Sequence, residues 1–273
     1  MDSSEKTVKA AKTAAPVTPA AATAAPTTIS LNDVAVRYLD HYQKLFDLLI
    51  FSLSSFRKAS EQDYDEFANQ LVIMPNNKSR MSFEKAKDAT ESWVLKHILS
   101  EALGSVVPLM EDSRTICALC DFKAANSNDA AKLQAITTTD RQEFLQLPVA
   151  KKFEVLTSKY NLTNDVQEHV ISLMEVTRAL LVKDGVLTNE ETGNKPEMTL
   201  KIRSVTLVQN PGPNNESFNL SRKISDNTRT VKVGEKIVLS KAEQFGALIT
   251  LAIFLSSLLQ GVQNYARKTG AAS

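Results

Sequence analysis

The sequence predicts a mostly α-helical protein with a small β insert before its last helix. Three observations carry that expectation. From residue 31 onward, apolar residues recur at intervals of three and four through most of the chain, the spacing of one helix face. Only eight of the 273 residues are glycine, so a chain rich in Leu, Ala, Lys and Glu meets few helix breakers. Between about 198 and 240 the pattern changes. "MTLKIRSVTLV" and "TRTVKVGEKIVLS" are β-branched and alternating, which is strand spacing.

The elements follow in order. Residues 1–29 are Ala/Pro/Thr-rich, and from 2 to 28 no large apolar side chain occurs beyond Val8 and Val17. Such a segment cannot offset its ordering entropy by burial and is expected to be a disordered tail. A single helical domain is expected over 30–273. Ser30 or Asn32 opens its first helix, with apolar residues at 34, 38, 42, 45, 46, 49, 50 and 53. A second helix is expected over 62–73, stopping before the turn signal Pro75-Asn76-Asn77. A third follows Ser82 and carries Trp93 on its apolar face. Residues 109–123 form a shorter helix, and "AANSNDAA" a connector. Thr139 or Asp140 opens the next helical stretch, and Pro148 suits the first turn of "VAKKFEVLTSKY". Asn164 or Asp165 caps "VQEHVISLMEVTRALLV", which stops at Asp184-Gly185, since glycine takes a left-handed cap cheaply. Ser240 caps the last helix, 241 to about 266.

The most apolar run, Phe245 to Val262, is about long enough to span a bilayer. It contains Gly246, Thr250, Ser256, Ser257 and Gln260, and a buried core helix is the preferred reading. The net charge of +1 gives no global pull toward nucleic acid or an anionic membrane. Two cysteines do not make a disulfide framework; with no signal peptide recognised, a cytoplasmic protein is expected, without membrane attachment.

Few motifs carry chemistry. Cys117-Ala-Leu-Cys120 lies in a helical pattern without a preceding strand, so buried thiols are preferred to a zinc or redox site. His41 and His97 read as boundary residues of amphipathic helices. No glycine loop for phosphate, no zinc-binding helix motif and no nucleophile elbow occurs, and neither a metal nor a cofactor is expected. From Lys195 to Lys241, nine basic and four acidic residues give a local +5. Arg222, Lys223, Arg229 and Lys232 are the candidates there for touching phosphate, against the plainer reading of a solvated, lysine-studded edge strand.

One stretch is more specific. "HVISLMEVTRALLVKDGVLTNEE" (169–191) resembles the signature helix of HEPN-superfamily domains in prokaryotic defence and toxin–antitoxin proteins. There an apolar helix carries arginine, a polar residue, three variable residues and a histidine, then a glycine turn. Arg178 and Gly185 match. "FLQLPVAKKFEVLTSKYNL" upstream and "VKVGEKIVLSKAEQF" downstream extend the resemblance over about 140–265. It implies a helical bundle that dimerises through the 164–183 helix and the last helix, and metal-independent RNA cleavage in active members.

The departures bear on that activity. Ala179 replaces the polar residue, and Lys183 stands in the histidine position. A histidine titrates near working pH, whereas a lysine stays protonated and is a poor base. Arg178 and Lys183 are also ~140° apart around the helix. The expectation is a catalytically degenerate, homodimeric interaction or RNA-binding module in bacterial defence or stress response, with RNA or a protein as partner. One alternative is a working metal-independent endoribonuclease in which His169 or Lys183 assists Arg178. The other is a structural assembly protein tethered by its tail.

Overall fold

The computed structural model describes residues 30–70, 80–182, 185–211 and 218–270. The tail, the Pro75-Asn76-Asn77 turn, Lys183 and the loop after Pro211 lie outside them. The architecture is mostly helical, with one two-stranded antiparallel sheet before the last helix.

Helix α1 (Leu31–Lys58) starts at Ser30, whose hydroxyl accepts the Asp33 N–H, one of the donors a helix start leaves unpaired. Val34, Tyr38, Tyr42, Leu45 and Leu49 are buried, but the expected stripe does not stay whole. Ile50 is exposed, and Phe46 and Leu53 are only partly covered. Helix α2 (Glu61–Gln70) buries nothing. It is held by Tyr64 Oη donating to Met81 O at 3.1 Å and Arg80 donating to Ala68 O at 3.0 Å. Helix α3 (Phe83–Gly104) buries its second half, from Leu95 to Leu103. Trp93, expected on its apolar face, is exposed and packs against His97, with ring centroids 4.2 Å apart and planes tilted by 55°.

Helix α4 (Val106–Ala124) follows after Ser105 alone, so it begins three residues earlier than expected. It holds Cys117 and Cys120, both free and buried. The connector expected over 124–131 is shorter, because Asp129 caps an additional helix, α5 (Ala130–Thr137). Helix α6 (Thr139–Gln146) and helix α7 (Val149–Tyr160) follow. The buried Lys152 donates to the carbonyls of Leu145 and Leu147, tying the end of α6 to α7. Helix α8 (Gln167–Val182) ends where the Gly185 N–H reaches back to Ala179 O at 3.1 Å. Gly185 has φ +85°, and a Cβ there would lie 2.8 Å from Ile237 O, so the expected glycine stop is also a close approach. One further turn, α9 (Asn189–Thr192), carries a capping box from Thr188 and Glu191.

Strands β1 (Glu197–Pro211) and β2 (Phe218–Lys232) pair from Glu197↔Lys232 to Pro211↔Phe218. At ~3.3 Å per residue this ribbon is ~50 Å long. Its foot supplies Met198, Leu200, Ile202 and Val231 to the core. The second strand begins ten residues before the expected "TRTVKV" and stops at Lys232; Gly234 and an isolated bridge, Val186↔Lys236, lead onward.

Helix α10 (Lys241–Lys268) opens with a Ser240/Glu243 capping box. It packs against β1, α4, α3, α8 and α1. Ala247, Leu248, Leu251, Phe254, Leu255, Leu258 and Val262 are buried there. Among the described residues it is the one helix long and apolar enough to cross a membrane.

Candidate functional site

Helix α8 positions Arg178. Val170, Leu173, Val176, Thr177, Ala179 and Leu180 turn into the core. Glu175 and Arg178, at i and i+3, stand outside with the partly covered Ile171. The Arg178 side chain is 64% exposed, and its guanidinium lies 3.6 Å from Glu190 Oε1. Ala179, where the resembled motif has a polar residue, has no exposure at all.

Arg178 lines a groove of about 670 Å³ between α8, α9 and the foot of β1. Five carboxylates (Glu168, Glu175, Glu190, Glu191, Glu197) and three cations (Arg178, Lys195, Lys201) line it, for a net charge of −2. A groove of that sign repels a phosphate backbone. The Lys201 ammonium bonds to Glu168 and holds its carboxyl below the usual range.

His169 is not on this face. It lies nine residues before Arg178, which is ~900° of rotation and ~13.5 Å of rise, so the two point to opposite sides of α8. His169 is buried, with Nε2 at 3.3 Å from Asp226 Oδ1. That contact belongs to a set of ties between α8 and the ribbon. Arg203 bonds to Asp226 at 2.9 Å and to Asp165 at 2.5 Å. Its guanidinium keeps the Asp226 carboxyl below its usual range. Ser172 Oγ donates to Thr199 O at 2.7 Å and accepts from the Lys201 N–H at 2.9 Å.

The four phosphate candidates do not form a cluster. Arg222 pairs with Leu207 and Lys232 with Glu197, ten residues apart along the strand, or ~33 Å. Lys223 and Arg229 fall on the other parity of the pleat, opposite Thr206 and Leu200. Arg229 is already engaged, with Nε 3.0 Å from Glu243 Oε1 and Nη2 donating to Val238 O at 3.0 Å. Lys223 and Lys232 are exposed.

Two features escaped the motif search. A second groove, about 450 Å³, lies between α3, α8 and residues 236–239. Trp93, Leu95, Leu99, Leu180, Ile237 and Val238 line it, and Leu181, Val182 and Val186 are exposed nearby in sequence to Leu180. The available signal in the sequence was Trp93 itself, the single tryptophan of the chain. The other feature is a buried polar network in α4. Glu111 accepts from Thr115 Oγ1 at 2.8 Å and pairs with Arg141 at 3.0 Å. Arg114 donates to Thr115 Oγ1 and to Ile136 O. Burial pushes the Glu111 carboxyl up, and the bonds from Thr115 and Arg141 oppose it. Nothing in the spacing of Glu111, Arg114 and Arg141 marked them as one cluster.

Burial likewise pushes both thiols of α4 up, the direction of inert rather than reactive cysteines. Among the described residues, no group of three His, Cys, Asp or Glu side chains is placed to hold a metal ion. Compared with protein-family models, with curated proteins and with solved structures, the chain matches none.

Proposed function

We propose that the chain is a homodimeric, HEPN-like interaction module whose degenerate motif binds rather than cleaves. The observation that carries the reading is the setting of Arg178: a groove of net charge −2, with His169 on the opposite side of the helix. General base catalysis needs a group within hydrogen-bond reach of the proton it removes. Within one chain, His169 is in no position to serve Arg178. The exposed apolar residues Leu181 and Val182 at the end of α8 add support for a protein contact there.

The setting that goes with this reading is a bacterial cytoplasm, in defence or stress response, with α10 as a core helix. RNA binding is the second reading, favoured by the exposed Lys223 and Lys232 on the ribbon. The test pairs two measurements on the full chain. Light scattering is expected to give a dimer. Incubation with RNA in EDTA is expected to leave the RNA intact, for this chain and for Arg178→Ala alike. Cleavage that disappears in Arg178→Ala would overturn the non-catalytic reading in favour of a ribonuclease. Binding to RNA that weakens in a Lys223→Ala/Lys232→Ala variant would select the second reading.

A further inference from the structure

Helix α1 carries a buried apolar stripe and a second, mainly apolar one that the chain covers only in part, at Phe46 and Leu53. The first is Val34, Tyr38, Tyr42, Leu45 and Leu49, packed into the body. The second runs Val36, Leu39, Gln43, Phe46, Ile50, Leu53, Arg57. Its steps are +3, +4, +3, +4, +3, +4, the a/d repeat of a coiled coil held over three heptads. In its register Val36, Gln43, Ile50 and Arg57 occupy a, and Leu39, Phe46 and Leu53 occupy d. Val36 is 47% exposed, Leu39 49% and Ile50 60%, while Phe46 and Leu53 are partly covered. This seam is rotated ~80–100° from the buried stripe, so the same helix can serve both.

The seam borders a groove of about 640 Å³ between α1 and α10, lined by Ala35 and Leu39 on one wall and Ser256, Leu259 and Gln263 on the other. We infer that a second copy of this chain lays its own α1 along this seam and into this groove, in parallel. The inference rests on the homodimer reading above, and it places the contact on α1 and α10.

Several observations select this occupant. A 3-4 repeat is self-complementary, so the helix that best fits the seam is the one that carries it. Fully exposed aliphatic side chains offer ~60–120 Å² of apolar area and phenylalanine ~150–250 Å². At their exposures, the seam and the α10 wall leave roughly 300 Å² uncovered per copy. A standard interface buries ~800 Å² per partner, a little over half of it apolar. The face therefore supplies most of the apolar area one such pair needs. The helix is also already formed on the body, so pairing carries no nucleation cost.

The direction follows from what flanks the seam. Asp40 and Asp47 occupy the e positions, and Tyr42 and Leu49, both buried, occupy g. An antiparallel pair sets e against e and brings Asp40 up to the partner's Asp47. A parallel pair sets e against g, where no charge stands. β-branched Val36 and Ile50 at a, with Leu39 and Leu53 at d, are the parallel two-stranded preference. In that arrangement Gln43 meets Gln43 of the partner subunit, a side chain that both donates and accepts; in one chain it donates to Asp47 at 2.8 Å.

The experiment is sedimentation equilibrium of the full chain beside three variants. Leu39→Glu/Ile50→Glu is expected to weaken dimerisation by more than about a hundredfold while keeping the far-UV spectrum and, at concentrations where both chains are monomeric, the melting midpoint. Leu48→Glu, 55% exposed on the far side of the same helix, is expected to leave it unchanged. Leu39→Cys, oxidised, is expected to give a disulfide-linked dimer, because a parallel pair sets like d positions side by side. If the double variant dimerises as well as the unchanged chain, the α1 surface is overturned and the dimer reading stands. Equal loss in Leu48→Glu overturns the specific seam. A dimer without the Leu39→Cys crosslink overturns the parallel direction. An unchanged chain that is monomeric at its highest soluble concentration sinks the dimer reading and this surface together.

Discussion

Gly185→Ala isolates what the close approach after α8 is worth. Gly185 sits at φ +85°, with its carbonyl accepting the Ile237 N–H at 2.7 Å. An L side chain in the left-handed region costs ~1–2 kcal/mol. The added Cβ would also lie 2.8 Å from Ile237 O and 3.3 Å from Leu180 Cδ2. The first neighbour is backbone and cannot swing aside, so the junction between residues 185 and 237 must open. Loosening that hydrogen bond removes a further ~0.5–1.5 kcal/mol. Alanine returns ~0.4–1 kcal/mol by stiffening the unfolded chain, which leaves a net loss of ~0.5–3 kcal/mol. Gly234→Ala is the matched control, at φ +91° with nothing within 4 Å of the built Cβ. It bears the same backbone and unfolded-state effects without the contact. Urea unfolding of both variants, compared at unchanged denaturant slope, is expected to put Gly185→Ala below Gly234→Ala by ~1 kcal/mol. Equal losses would refute the reasoning, because the 185–237 approach would then carry no cost of its own.

Lys152→Met keeps the buried stem but strips the donors from Leu145 O and Leu147 O; thermal or urea unfolding is expected to show a loss of ~1–3 kcal/mol. Arg178→Ala breaks only an exposed 3.6 Å pair with Glu190, so its stability is expected to stay within ~0.5 kcal/mol of the unchanged chain. Glu168 and Asp226 have carboxyls held below their ordinary range by Lys201 and Arg203. A depressed carboxylate contributes stability above its unfolded value, near pH 4, and loses it as pH falls through the lower folded value. Urea titrations from pH 6 down to 2 are therefore expected to show stability falling below about pH 4, with a shallower fall in Arg203→Met.

Local chemistry made much of the fold legible. Ser30, Ser240 and Gly185 terminate helices where their side chains, or the lack of one, satisfy helix ends. The β insert is visible because Met198, Leu200 and Ile202 alternate into the core. Its length is not visible, because Phe218 to Asn227 are mostly polar, with only Phe218, Leu220 and Ile224 apolar, though they pair in register with β1. Helix α5 is missed for a related reason: among its eight residues only Ile136 is buried, so no apolar stripe marks it. Trp93 misleads in the opposite direction. Spacing assigns it to an apolar face, and α3 has such a face, but the body covers it only from Leu95 onward. At the candidate site, sequence supplies Arg178 and its spacing to His169. It does not supply the acidic surroundings, because Glu190, Glu191 and Glu197 come from α9 and the start of β1. Their convergence depends on the turn at Gly185.

Helix α10 packs against α1, α3, α4, α8 and β1, and it follows all five in sequence. During synthesis those five elements emerge first; α1, α4 and α8 can meet α3, but the surfaces that α10 covers stay open until Lys241–Lys268 has left the ribosome. The nascent chain therefore carries its uncovered apolar surface for most of its translation, the condition under which helices recruit chaperones or one another. A chain stopped at Ser240 would keep the contacts of α3 with α1, α4 and α8 but leave the surfaces that α10 covers open, and the amide protection of those segments against hydrogen exchange would fall. Closure of the core during synthesis thus waits on Lys241–Lys268.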